Sequence, residues 1–505
     1  MAAVEMNRRS LALAGAATML LPQAWAQGVT ATPPEISAEA AGRDLRILRR
    51  ALTDLHPGLL RYATQARLDA EFAAAEAAVK TGCSRAQMFL LASRIAAGVH
   101  CGHTWTNPYN QRQDLADALF KRADKLPLTL RFVEGRALVT GSAASGVAAG
   151  AELLAIDGRS ISDITAALLP YLRADGLHEG AHLKRLSQLD SGSNGGAMDR
   201  IFPLVFAPAL ASGQGRYALQ LRDTANGAPR EVTVPAISEA ERNRTLPPPT
   251  AQWTFTVEGD TATLTLPTFA FWRGDFKPEP FLQRTFAALR SVPYLVIDLR
   301  SNEGGDDAIG RLLLAQLLRA PFQAPSFRVE SAYERAPYDL ARFLDTWDFS
   351  FFDRTGQATK SQRTSTPRNW LLPEQVGATV QPVAAPYPGR TVVLIGPQNS
   401  SAGYLLARDL KASRAATLVG QPTGGNLRGL NGGQLAWLTL PASGVAVDIP
   451  LLAAFAPEGT PDAGVQPDVL VPPRWAESRT GTDGGADAGL LAALAQIQQW
   501  RQLVR

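Results

Sequence analysis

A chain of 505 residues is longer than one hydrophobic core supports, so two or three domains plus processing segments are expected. Its 46% hydrophobic content argues against wholesale disorder, and 50 basic against 46 acidic residues, a net charge of +4, are spread without long runs. No Lys/Arg stripe interleaved with aromatics is present, which excludes an ordinary nucleic-acid footprint.

In chain order, the first segment is MNRRSLALAGAATMLLPQAWAQ, from Met6: an arginine pair, an apolar stretch, then Ala24-Trp25-Ala26 in the A-x-A form of a cleavage site. This predicts a secretory signal peptide over 1–26. Arg8-Arg9 followed by Ser-Leu-Ala-Leu is similar to a twin-arginine export signal, and an ordinary Sec signal fits as well. The apolar run falls short of the ~20 residues that span a bilayer, and no later segment qualifies. The mature chain is therefore expected to be periplasmic or secreted, with no stable membrane span. Cys83 and Cys101 are the two cysteines; a bridge between them and two free thiols both remain open.

Residues 27–120 read as an N-terminal helical region. Ser84 with Gln87 makes a capping-box signature, Met88, Leu91, Ala92 and Ile95 follow at helical spacing, and Gly98 sits where a C-cap would be. The helix thus ends just before HCGHTW. From 125 to 240 the pattern becomes β-rich: LTLRF, the turn VEGR, ALVTG, then GVAAGAELLAIDG, in which Leu153–Ile156 runs into an Asp157-Gly158 turn and a helix. TLPPPT, 245–250, reads as a linker. Over 251–475, strands alternate with helices. YLVIDL (294–299), TVVLIG (391–396) and ATLVG (416–420) are continuous apolar runs of the buried parallel-sheet type, and the intervening helical patterns define an α/β layer architecture. QLAWLTL, PASG and VAVDIPL predict a hairpin, and GLLAALAQIQQW, within the tail 476–505, a closing amphipathic helix.

Chemistry is expected beyond the C-terminal ends of the buried strands. Ser401, in NSSAGYLLARDLK, follows TVVLIG at the start of a helix, where it reads either as a nucleophile or as a helix N-cap. DLRSNEGGD follows the other buried strand, so Gly304 and Gly305 should emerge on the same sheet edge. With the Ala402 amide they could form an oxyanion hole; otherwise they are a tight turn. A serine needs a base, and of His56, His100, His103, His178 and His182 the polar-loop residue His103, in CGHT, has the best case. His100-x-x-His103 with Cys101 reads alternatively as an incomplete zinc site, the obvious third and fourth ligands being missing; neither a metal nor another cofactor is expected.

Together these segments resemble the C-terminal processing (tail-specific) serine protease family, in particular the branch of the tricorn core protease and the interphotoreceptor retinoid-binding protein repeats. DLRSNEGG is similar to the family's D-x-R-x-N-x-G-G strand, NSSAG to its nucleophile turn, CGHT to the branch's histidine motif, LHPGLLRY to an N-terminal segment, and GVQPDV to the G-V-x-P-D ending. The resemblance implies a crotonase-like (ClpP-like) α/β catalytic core with an N-terminal helical region, and GVAAGAELLAIDG is similar to a PDZ module. It implies Ser401 as nucleophile, His103 as base, and Ala402 with Gly304 or Gly305 as oxyanion donors. Gly425, Asn426 and Tyr404 are placed on the substrate side, and Glu458 or Asp462 is the candidate carboxylate behind His103. Two positions depart from the pattern: Asn426 stands where tail-specific proteases carry a catalytic lysine, and Tyr404 where they carry a glutamate. Lys411 cannot replace that lysine, because ten residues along a helix span roughly 15 Å. A Ser–His peptidase acting on peptide or protein substrates is the leading expectation. A periplasmic peptide-binding protein with a degenerate site, or an esterase on the same fold, are the alternatives.

Overall fold

Short polar residues just ahead of apolar periodic stretches start the N-terminal helices. Ser37, Thr64 and Ser84 accept the backbone N–H of Ala40, Arg67 and Gln87, capping α1 (Ala38–Leu55), α2 (Gln65–Ala78) and α3 (Arg85–Ala97); α4 spans Gln113–Phe120. In this computed structural model the described residues are 35–176, 182, 185–186, 196–206, 215–246, 252–272, 274–473 and 487–503. The expected signal peptide, His178 and most of the Pro-rich stretch lie outside them.

Leu45, Leu48, Leu52 and Leu55 recur on one face of α1 and are buried. Their core continues into a small antiparallel sheet: β1 (Leu128–Val133), β2 (Arg136–Ser142), β3 (Glu152–Ile156), β4 (Arg159–Ser160), β5 (Arg216–Arg222) and β6 (Arg230–Pro235). The order is β1-β2-β3-β5-β6, with β4 paired to β3 through the turn at Asp157 and Gly158, both at positive φ. Helix α5 (Ile161–Leu168) buries Ile161, Ile164 and Leu168.

The second sheet holds β7 (Thr254–Glu258), β8 (Thr261–Thr265), β9 (Tyr294–Asp298), β10 (Arg390–Ile395), β11 (Thr417–Gly420) and β14 (Val469–Leu470), in the order β14-β11-β10-β9-β8-β7. All its pairings are parallel except β7 with β8. Side chains alternate between its two faces, as strand geometry requires. Leu295, Ile297, Val393 and Ile395 pack with α6 (Pro278–Ala288), α7 (Asp307–Leu317) and α8 (Ser401–Ser413). Val296, Val392 and Leu394 face α9 (Ala488–Leu503) through Ala493 and Ile497. Burial on both faces is why these strands read as unbroken apolar runs.

The hairpin β12 (Leu435–Thr439) and β13 (Ala446–Pro450) lies after β11 in the chain, yet Leu438 and Val447 belong to the core of the N-terminal helices. Asp44 of α1, fully buried, clamps the hairpin turn: it accepts the amides of Ala442 (3.0 Å) and Ser443 (2.8 Å) and the Ser443 hydroxyl (2.7 Å). Asp44→Ala would strand buried donors and should cost about 2–3 kcal/mol. That cost should appear as a lowered urea midpoint with an unchanged slope.

Candidate active site

Parallel register sets the site. Asp298 lies opposite Leu394 at the C-terminal ends of β9 and β10, so the turns 299–305 and 396–401 leave the sheet side by side. Two buried asparagines lock them together. Asn399 accepts the Gly396 amide (2.8 Å) and donates to the carbonyls of Leu299 (2.5 Å) and Asn302 (3.1 Å). Asn302 donates to the Leu266 carbonyl and accepts the Gly304 amide, each at 2.8 Å.

Ser401 has φ +49°, a left-handed conformation that a non-glycine residue holds only under constraint. It is not a capping serine. It is the first residue of α8, and the N-cap Ser400 makes no side-chain cap; its hydroxyl instead donates to the Glu303 carbonyl at 3.0 Å. Among the described residues the Ser401 hydroxyl has no hydrogen-bond partner, so its oxygen is uncommitted. Gly304 (φ +107°) lies against this turn: a Cβ there would sit 2.8 Å from the Ala402 nitrogen and 2.9 Å from the Ser401 Cβ. Of the two glycines, Gly304 has its N–H committed to Asn302, while Gly305 is locked beside Phe269, whose backbone a Cβ would strike at 2.1 Å. The Ala402 amide, at the second position of α8, has no intrahelical acceptor.

His103 lies in the loop after α3. The loop is fastened from three sides: the Gly102 N–H donates to Asp175 (2.7 Å), the Gly102 carbonyl accepts from Arg173, and Trp105 pairs with Asp448 on β13. Arg173 stacks 3.6 Å over the Trp105 ring and pairs with Glu303 (3.6 Å), which Arg185 also grips at 2.9 and 3.0 Å. Glu303 immediately precedes Gly304 and carries the carbonyl that holds Ser400. The histidine loop and the serine turn are thus joined through one carboxylate. Burial would raise the Glu303 pKa, but Arg185 and Arg173 outweigh it and hold the carboxyl below the usual range. Burial lowers the His103 pKa and Asp175 opposes it, so the imidazole is neutral near pH 7. Its Nδ1 is sealed from solvent with no hydrogen-bond partner, and no hydrogen bond joins His103 to Ser401 directly.

Other expected site residues lie elsewhere. Glu458 is exposed and bound to Thr364 and Ser365, and Asp462 accepts from Asn426 at 2.6 Å; neither bonds to His103. Asn426 is fully buried, tying Asp462 to the Asp175 carbonyl, and Tyr404 is fully buried against Gly425, where a Cβ would come 2.3 Å from its ring. Asn426, Gly425 and Tyr404, expected on the substrate side, thus take part in packing and tethering in this structure. Lys411 pairs with Asp468. Cys83 and Cys101 are both free and buried. His100 stands 6.1 Å from His182 ring to ring, apart from the cluster around His103. Sequence reasoning missed Asp175, Arg173, Arg185 and the two locking asparagines. Only the N in DLRSNEGG carried a signal.

Residues 260–471 match the model of peptidase family S41, a span that contains Gly304, Gly305, Ser401 and Ala402. This segment, less than half of the chain, is that of a serine-type peptidase of family S41, the family of the tail-specific proteases. Among solved structures it is similar to mature CPAF complexed with lactacystin: 16% identity over 92% of this chain and 98% of that one, TM-score 0.60. Mature CPAF gives 16% identity over 88% and 94%, TM-score 0.57. The photosystem II D1 C-terminal processing protease gives 15% over 86% and 94%, TM-score 0.40. At such identities the first two likenesses speak to fold alone. No curated protein matches the chain. His103 precedes the matched span, so its part rests on geometry.

Gly304→Ala would set a methyl in front of the Ala402 amide in a backbone conformation hostile to side chains. The rate of labelling by a fluorophosphonate probe should fall about 100-fold or more, the scale of a lost oxyanion donor, while the protein stays folded by circular dichroism.

A second expectation concerns acid. His56 accepts the Gly58 amide at Nδ1 (3.1 Å), so its Nε2 carries the proton and donates to Thr104 (2.9 Å). Burial, aided by Arg61, lowers its pKa to about 3, and burial lowers that of His100 to about 4. Both stay neutral in the fold and take up protons on unfolding below about pH 6.5. Stability present above that pH is lost as the pH falls toward the folded values. At pH 5 His56 alone accounts for about 2 kcal/mol, and His56→Gln should flatten denaturant midpoints measured from pH 7 to pH 5.

Proposed function

We propose that the chain is an exported peptidase that cleaves peptide or protein substrates through an acyl-enzyme, with Ser401 as nucleophile and His103 as general base. The observation that carries this is Ser401 itself: an uncommitted hydroxyl on a strained strand-to-helix elbow, next to a glycine turn that Glu303 ties, through Arg173, to the loop carrying a neutral imidazole. The hydroxyl attacks the substrate carbonyl, His103 takes its proton and later returns it to the leaving amine, and water then releases the acyl group. Proton transfer requires the two side chains to close up on substrate binding, as is usual for catalytic contacts in free enzymes. The developing oxyanion is received by the Ala402 amide, with Gly304 keeping the approach clear and Gly305 as the second donor.

Asp175, in place of Glu458 or Asp462, is the carboxylate whose charge favours the imidazolium formed during attack. Lys411 is occupied by Asp468, which supports a histidine base over a lysine base. The signal-like N-terminus supports export to the periplasm or beyond, and among the described residues no helix is long and apolar enough to cross a membrane. The sheet-and-helix module of 125–240 is read as PDZ-like and suited to presenting peptide ends.

Treating the mature chain with a fluorophosphonate probe tests the assignment. Ser401→Ala should abolish labelling, and His103→Gln should slow it by about 10²–10⁴-fold. Labelling that persists in Ser401→Ala would remove Ser401 from the role.

A further inference from the structure

The loop that carries His103 also gathers a second, chemically distinct set of donors. A ring nitrogen of His103, the Cys101 Sγ and a carboxylate oxygen of Asp175 all lie within 4.8 Å of one another. None of these three side chains is hydrogen-bonded to another. One Asp175 oxygen takes the Gly102 amide (2.7 Å), the Cys101 sulfur is met by the His103 backbone N–H (3.4 Å), and the His103 Nδ1 has no partner although sealed from solvent. A structural network would have used these groups on each other. Cys101 is also met by Thr104 and Asn431, but three ligand-type groups that converge without bonding to one another are the arrangement of a cation cage.

We propose that Cys101, His103 and Asp175 form a zinc site, and that its occupation silences the peptidase. Thiolate, imidazole and carboxylate are the three ligand types zinc takes, and three protein ligands leave a fourth position open. Bond lengths of about 2.0–2.3 Å place tetrahedral ligands roughly 3.4–3.7 Å apart, so movements of about 1 Å close the cage. Gly102 makes room for it: a Cβ there would lie 2.8 Å from the Asp175 Oδ2. One thiolate and one carboxylate neutralise Zn²⁺ itself; of the neighbouring cations, Arg173 and Arg185 share the single carboxylate of Glu303, and the buried Arg61 also faces Cys101 and Asp175. Burial and Asp175 keep the Cys101 thiol protonated in the free protein, and the metal releases that proton on binding. His103 is partly exposed, which provides the way in. A zinc-bound imidazole cannot accept a proton from Ser401. Only this silencing depends on the mechanism proposed above; the metal site itself does not.

The test uses the mature chain stripped with chelator. With Co²⁺ as spectroscopic substitute, one equivalent should produce a thiolate-to-cobalt charge-transfer band that Zn²⁺ displaces. The band should persist in Cys83→Ser and vanish in Cys101→Ser. Asp175→Asn should weaken zinc binding by more than the 10–100-fold typical of outer partners. Equimolar zinc should block probe labelling in the wild-type chain, reversibly with chelator, and should not block it in Cys101→Ser, each variant being compared with its own metal-free rate. No band in the wild-type chain, or a band that survives Cys101→Ser, overturns the site. A band without protection from the probe overturns the silencing. Absence of labelling in the metal-free chain counts against the peptidase mechanism and leaves the cobalt readout intact.

Discussion

The site depends on the parallel pairing of β9 with β10 and on the two asparagines that clamp their exits. A parallel sheet puts the ends of neighbouring strands on one edge, and the register opposite Asp298 and Leu394 decides how far each turn projects. Asn399 and Asn302 convert that coincidence into a fixed geometry by satisfying buried backbone groups of both turns. Without those bonds the left-handed Ser401 would relax toward an ordinary turn, since nothing local favours its conformation, whereas glycine at 304 and 305 tolerates positive φ.

The histidine arrives by a different route. Its loop belongs to the core shared by the N-terminal helices, the small antiparallel sheet and the β12–β13 hairpin, whereas Ser401 rises from the core of the parallel sheet. Glu303 bridges the two, its carboxylate held by arginines near the histidine loop and its carbonyl holding Ser400. Glu303 is only part-buried, so each guanidinium adds modestly, and losing one leaves the carboxylate still paired with the other.

Much of this was legible in the sequence because the signals were local. Unbroken apolar runs announced strands covered on both faces, Ser84 with Gln87 announced a helix start, and glycines after one strand with serine after the other announced a site at the sheet edge. What stayed hidden was set by tertiary contact. Asp175 lies more than seventy positions from His103 and carries no motif, so nothing in its neighbourhood marks it. Glu458 and Asp462 were favoured by their position before GVQPDV, but linear order does not say which way a loop folds, and each is taken up by nearby amides and hydroxyls. Tyr404 and Asn426, singled out for departing from a motif, turn out to be fully buried, Tyr404 against Gly425 and Asn426 bonded to Asp462, contacts that local sequence does not announce.

Because the proposed base and nucleophile belong to separate cores, the contact between those cores sets the distance between them. Opening it by an ångström or two would leave both folded while parting the groups that must meet. Whatever presses the two cores together would therefore favour the meeting that the proposed mechanism needs.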